Sequence, residues 1–185
     1  MTPDSGLSAG ADPNLPGGRV ASRTVFAGGR SKVQLLADLA DAGVELNEAA
    51  RILFASDLFT PAEIRREWVI LELAVRELGF PQGATMREMC GRLGRLGLRL
   101  APMELGPHLR LQYRDQPEGC WGHPVTEHRA PPGSLTVASD RLSVDDGFPA
   151  GFYLRRIQGT LWLRGYWCSE GNVWDPDDRL VFCRV

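Results

Sequence analysis

The chain has 185 residues, 43% of them hydrophobic, and a formal net charge of −2. That length fits one domain, or two small subdomains sharing a core. The near-neutral balance excludes a field that would draw the whole molecule to nucleic acid or a membrane surface, and the sequence holds no apolar run of about 18 residues that could span a bilayer.

Met1–Ser22 is rich in Gly, Pro, Ser and Asp, with few large apolar residues. Such a stretch cannot bury enough surface to offset its ordering entropy, so residues 1–24 are expected as a disordered tail. Met1–Gly18 also lacks the apolar run of a signal peptide. The cysteines, Cys90, Cys120, Cys168 and Cys183, are scattered without a CxxC pair. Together these point to a cytoplasmic protein with reduced thiols.

Residues 25–99 read as a helical subdomain of about four helices. Ser31 with Gln34 forms a possible capping box ahead of the stripe Val33, Leu35, Leu36 and Leu39, and Gly43 suits the position after the helix end. Asn47 can cap a second helix carrying Ala50, Ile52, Leu53 and Phe54. Thr60-Pro61-Ala62-Glu63 reads as a third helix start. Ile64, Trp68, Leu71, Val75 and Leu78 then recur at spacings of three and four, up to Gly79. Thr85 and Glu88 open a fourth helix over 84–97, lined by Met86, Met89, Cys90, Leu93 and Leu96.

Near residue 100 the period changes. Leu109, Leu111 and Tyr113 alternate with His108, Arg110, Gln112 and Arg114, which predicts a strand with one polar face. Gln116–Gly133 reads as a long Pro/Gly loop. Leu135, Val137 and Leu142 mark a short strand, and Ser143–Gly151 an acidic loop. Phe152–Trp167 predicts a hairpin around Gln158-Gly159. With those two residues as the turn, Tyr153 faces Arg164, Leu154 faces Leu163 and Arg155 faces Trp162. Leu180–Arg184 closes the chain as a strand. The expected fold is therefore α+β: an N-terminal helical part packed on a mostly antiparallel sheet formed by the β-rich residues 100–185, around one core.

Several constellations could carry chemistry. His108 suits general acid–base work because imidazole titrates near neutrality, with Glu104 or Asp115 to orient it. No serine or cysteine stands in a nucleophile motif. Cys120, His123 and His128, with Cys168 as a possible fourth ligand, are the candidates for a zinc site, but three ligands in a Pro-rich loop also read as a flexible exposed loop, and no metal is expected. The alternating Arg and aromatic residues, namely Arg110, Gln112 and Tyr113 with Tyr153, Arg155, Trp162 and Arg164, could stack a planar group or grip an anion on one concave surface. The helices expected over 61–78 and 84–97 could form a helix-turn-helix presenting Arg87, Arg92, Arg95 and Arg99 to DNA. The one lysine, Lys32, follows Ser31, so no P-loop can be drawn, and GxGxxG is absent.

Gly43-Val-Glu-Leu-Asn47, Leu78-Gly-Phe-Pro-Gln-Gly-Ala-Thr85 and Glu104-Leu-Gly-Pro-His-Leu-Arg-Leu-Gln-Tyr-Arg-Asp-Gln-Pro-Glu118 carry a family resemblance. Pro149-Ala-Gly-Phe-Tyr-Leu-Arg155, Leu161-Trp-Leu-Arg-Gly165 and Trp174-Asp-Pro-Asp-Asp178 extend it over roughly residues 31–184. The chain resembles a family of small uncharacterised bacterial proteins, some labelled helicases. The missing P-loop removes the phosphate cradle that a helicase needs. The resemblance implies a bacterial cytosolic protein and supplies no catalytic residue. The function expected is a non-catalytic binding or interaction domain for an anionic or planar small molecule, or for a protein partner. A small hydrolase or transferase using His108 is the alternative, and a DNA-binding regulator the third. No cofactor, nucleic acid or membrane partner is expected.

Overall fold

A computed structural model describes residues 8–11, 19–119 and 131–185. In chain order the elements are β1 (Ser8–Ala11), β2 (Arg19–Ala27), α1 (Lys32–Asp41), β3 (Val44–Leu46), α2 (Glu48–Ala55) and β4 (Arg66–Ala74). A 3-10 turn, β5 (Ala84–Thr85), α3 (Met86–Leu93), a second 3-10 turn and β6 (Leu98–Arg99) follow. Then come α4 (Leu105–Gln112), β7 (Leu135–Val137), β8 (Gly151–Ile157), β9 (Thr160–Tyr166), β10 (Val173–Trp174) and β11 (Arg179–Arg184).

Nine of these strands form one mixed sheet in the order β1-β2-β4-β11-β7-β8-β9-β3, with β6 added beside β11. The β7–β11 and β3–β9 pairs are parallel and the rest antiparallel. β5 and β10 form a separate ribbon. This overturns the expected division into a helical first part and a β second part. β2 begins at Arg19, inside the stretch read as a disordered tail, and strands precede and separate the helices.

Alternation along the strands builds two cores. On one face Val25, Ile70, Val181, Leu154 and Leu163 meet Leu35 and Leu39 of α1, Leu53 and Phe54 of α2, and Leu105 and Leu109 of α4. On the other, Leu71, Leu73, Leu180 and Phe182 meet Met89 and Leu93 of α3.

Three helices keep the caps read from sequence. Ser31 and Gln34 close a capping box on α1, Thr85 and Glu88 one on α3, and the Asn47 side chain accepts from the Ala50 N–H on α2. Gly43, just past α1, takes the left-handed φ of 67° that suits this position.

The helix expected over 61–78 is instead β4, a central strand between β2 and β11. Both of its faces are buried near its end, at Ile70, Leu71 and Leu73. A strand buried on both sides reads as a continuous apolar run, and here that run also satisfies a helical spacing. The opposite exchange occurs at His108–Arg114, expected as a strand, most of which falls in α4 (Leu105–Gln112). Leu105, Leu109 and Tyr113 are buried at helical spacing of four. Pro107 falls in the first turn, where its missing N–H has no intrahelical acceptor to lose. Leu142 lies outside any strand.

The hairpin has the register expected from sequence: Tyr153 opposite Arg164, Leu154 opposite Leu163, Arg155 opposite Trp162 and Ile157 opposite Thr160. Gln158 and Gly159 take positive φ of 50° and 77°. Two left-handed residues are what a type I′ turn requires to match the strand twist.

Candidate functional site

Glu104 stands at the N-cap position of α4 without a side-chain cap bond, and His108 and Gln112 follow at one-turn intervals, so the three form a single stripe. Each is engaged with backbone distant in sequence. The Glu104 carboxylate accepts from the Ala62 N–H at 2.6 Å. His108 Nε2 accepts from the Gly28 N–H at 3.0 Å. Gln112 accepts from the Phe26 N–H at 3.0 Å and donates to the Phe26 carbonyl at 2.8 Å. Beyond its pairing with β1, β2 has no strand on that side among the described residues, and Gln112 and His108 satisfy the backbone groups of Phe26 and Gly28 in place of one.

This arrangement fixes the state of His108. A ring nitrogen that accepts a hydrogen bond carries no proton, so the neutral imidazole holds its proton on Nδ1. Burial, then the nearby Arg30 and Arg65, lowers the His108 pKa to about 4. Among the described residues no hydrogen bond joins the side chain of His108 to that of Glu104 or Asp115. Glu104 is spent on Ala62, its pKa raised by burial, and exposed Asp115 lies 3.9 Å from Arg23. The acid–base pairing expected from sequence does not form.

Arg110 points inward and is 0% exposed. Its Nη groups donate to Gln116 Oε1 and to the Tyr113 carbonyl, and burial lowers its pKa to about 10. The Arg23 guanidinium lies 3.9 Å from the Tyr113 ring centroid and that of Arg110 at 5.9 Å. Arg110 and Tyr113 are therefore interior packing.

The hairpin residues lie elsewhere. Leu154 and Leu163 face the core that holds α4, so Tyr153, Arg155, Trp162 and Arg164 point to the opposite side of the sheet. Arg164 sits 5.2 Å from the Trp162 ring centroid and 6.0 Å from that of Tyr153, while Arg155 is buried. The single concave surface expected from sequence is thus three places: a buried Arg–Tyr stack, a hairpin face, and the rim that carries Gln112.

That rim opens on a cavity of about 580 Å³ between the end of β2, α1 and α4. One wall holds His108, Gln112 and Arg114 of the α4 segment, together with Arg65, whose guanidinium lies 4.6 Å over the Phe26 ring. The other wall is the C-terminal half of α1, with Asp38, Asp41 and Ala42. Arg30 pairs with Asp38 at 2.7 Å. Arg114 donates its Nε–H to the Leu111 carbonyl at 3.2 Å. Among the described residues no carboxylate pairs with Arg65 or Arg114, and no group accepts the His108 Nδ1–H. The cavity can offer hydrogen-bond donors and positive charge to an anion.

Arg30, Arg65, Asp38 and Asp41 were not singled out in sequence. The available signal was Ala27-Gly-Gly-Arg-Ser31 ahead of the α1 capping box. Gly28 and Gly29 have φ of 90° and 73° and turn the chain out of β2.

The helix-turn-helix is overturned, because its first helix is β4. Three of its four arginines have partners within the fold: Arg92 donates to the Leu78 and Gly79 carbonyls, Arg87 pairs with Glu170, and Arg99 lies over Trp68. Cys120, His123 and His128 lie outside the described residues, among which no group of His, Cys, Asp and Glu could hold a metal ion. A second cleft of about 310 Å³ is lined by Met86, Tyr166, Trp174 and the thiols of Cys90 and Cys168, both raised in pKa by burial. Among the described residues no helix is long and apolar enough to cross a membrane.

No family model, curated protein or solved structure matches the chain.

Proposed function

We propose that the protein is a non-catalytic binding protein whose ligand is a small anion held in the cavity between β2, α1 and α4. The observation that carries this reading is the pair Arg65 and Arg114, which line one cavity with no carboxylate partner among the described residues. A volume of about 580 Å³ falls within the roughly 300–1,000 Å³ of small-molecule sites. The Arg65 guanidinium stacks on the Phe26 ring at the cavity wall, an Arg–aromatic pair outside the set read from sequence. His108 supports binding over proton transfer: its basic nitrogen is engaged with Gly28, leaving an N–H donor. The three described cysteines are free, which suits the reducing cytosol that the family resemblance implies.

Isothermal titration with inorganic phosphate tests this. Wild-type protein is expected to bind it. Arg65→Ala, at an exposed position, should weaken binding by about tenfold or more, as loss of a charge-assisted hydrogen bond of roughly 1.5–3 kcal/mol requires. Equal affinity in the variant, or no binding by wild type, would overturn the assignment.

A further inference from the structure

The two walls of this cavity carry opposite charge. Arg65, Arg114 and the His108 Nδ1–H occupy one side. The other is the last turn of α1, which bears Asp38 and Asp41 and no basic residue. A helix C-terminus has partial negative charge from its unpaired carbonyls and is stabilised by cations. Two carboxylates there act against the stability of α1, and only Asp38 has an internal counter-charge, Arg30 at 2.7 Å. Asp41 is exposed, lines the cavity and has no ion-pair partner among the described residues. Nothing in the packing of α1 requires a carboxylate at Asp41.

We infer that the ligand is zwitterionic, with a phosphate or carboxylate head on Arg65, Arg114 and His108 and an ammonium group against Asp41 at the C-terminal end of α1. This rests on the reading of the cavity as an anion site and adds what the rest of the ligand must carry. A plain anion leaves the α1 wall facing the ligand with like charge. An ammonium group removes that repulsion and supplies the counter-charge that Asp41 lacks among the described residues. The guanidiniums suit a phosphate or carboxylate because their fixed fork of N–H donors can engage two oxygens at once.

The test compares O-phosphoethanolamine with ethyl phosphate, which has the same head without the amine, by isothermal titration. β-Alanine, which has the amine with a carboxylate head, separates the two head chemistries. The expected result is that O-phosphoethanolamine or β-alanine binds, with O-phosphoethanolamine or β-alanine about tenfold or more tighter than ethyl phosphate. Asp41→Asn is expected to remove that preference while leaving ethyl phosphate binding unchanged or stronger. Asp41 is exposed and has no ion-pair partner among the described residues, so the variant should fold as wild type, which its Tm reports. Equal binding of ethyl phosphate and the two amines would overturn the zwitterion and leave the anion site standing. A preference that survives Asp41→Asn would overturn the role of α1. No binding of any of the three, or binding insensitive to Arg65→Ala, would remove the anion site and the inference together.

Discussion

The α4 stripe and the β8–β9 hairpin both combine apolar residues with Arg and polar groups, yet the fold uses them oppositely. In α4, Glu104, His108 and Gln112 reach backbone groups 42, 80 and 86 residues away. In the hairpin, Tyr153, Trp162 and Arg164 meet one another across a two-residue turn and stay partly exposed. A polar side chain on an element is thus no evidence of a free surface. Whether it is available depends on which distant backbone groups lack partners, and the exposed edge of β2 supplies such groups beside α4.

That contrast is sharpest at two arginines. Arg110→Ala should be the most damaging change, about 2–5 kcal/mol in urea unfolding, because it empties a fully buried position and strands the acceptors on Gln116 and Tyr113. A loss below about 1 kcal/mol would show that this guanidinium is not packed as interior. Gln112→Ala should follow at about 1–3 kcal/mol, since the Phe26 N–H and C=O lose their partner. Amide exchange at Phe26 should quicken in that variant, and unchanged exchange would remove the edge-covering role. Arg164→Ala should be mildest, within about 1 kcal/mol, the scale of an exposed cation–π contact. A larger loss by the same urea measurement would mean that the hairpin face is covered in the folded protein.

The same contrast explains what the sequence could disclose. The hairpin register was legible because a left-handed Gln158-Gly159 turn fixes it locally. The caps at Ser31, Asn47 and Thr85 were legible because each is closed within three residues. β4 and α4 were exchanged because each satisfies both periods. Leu105, Leu109 and Tyr113 fit a helix, while Leu109, Leu111 and Tyr113 fit a strand. Ile70 to Leu73 sits between β11, legible as the closing strand, and β2, which no local pattern announces. The cavity was half legible: His108 and Gln112 were singled out, but Arg30, Arg65, Asp38 and Asp41 converge on them only through the sheet order.

The α4 stripe and the cavity beside it depend most on His108 being a neutral imidazole committed to Gly28. Its folded pKa of about 4 lies below the ordinary value of 6.5. The unfolded chain therefore binds the extra proton between those values. Stability from this group is complete above about pH 6.5 and is lost as pH falls toward 4. The direct measurement is a pH titration of the assigned His108 ring by ¹⁵N–¹H NMR. The predicted result is a proton on Nδ1, a bare Nε2, and a midpoint near 4. A midpoint near 6.5, or a proton on Nε2 at neutral pH, would contradict it and return His108 to the list of groups able to move a proton.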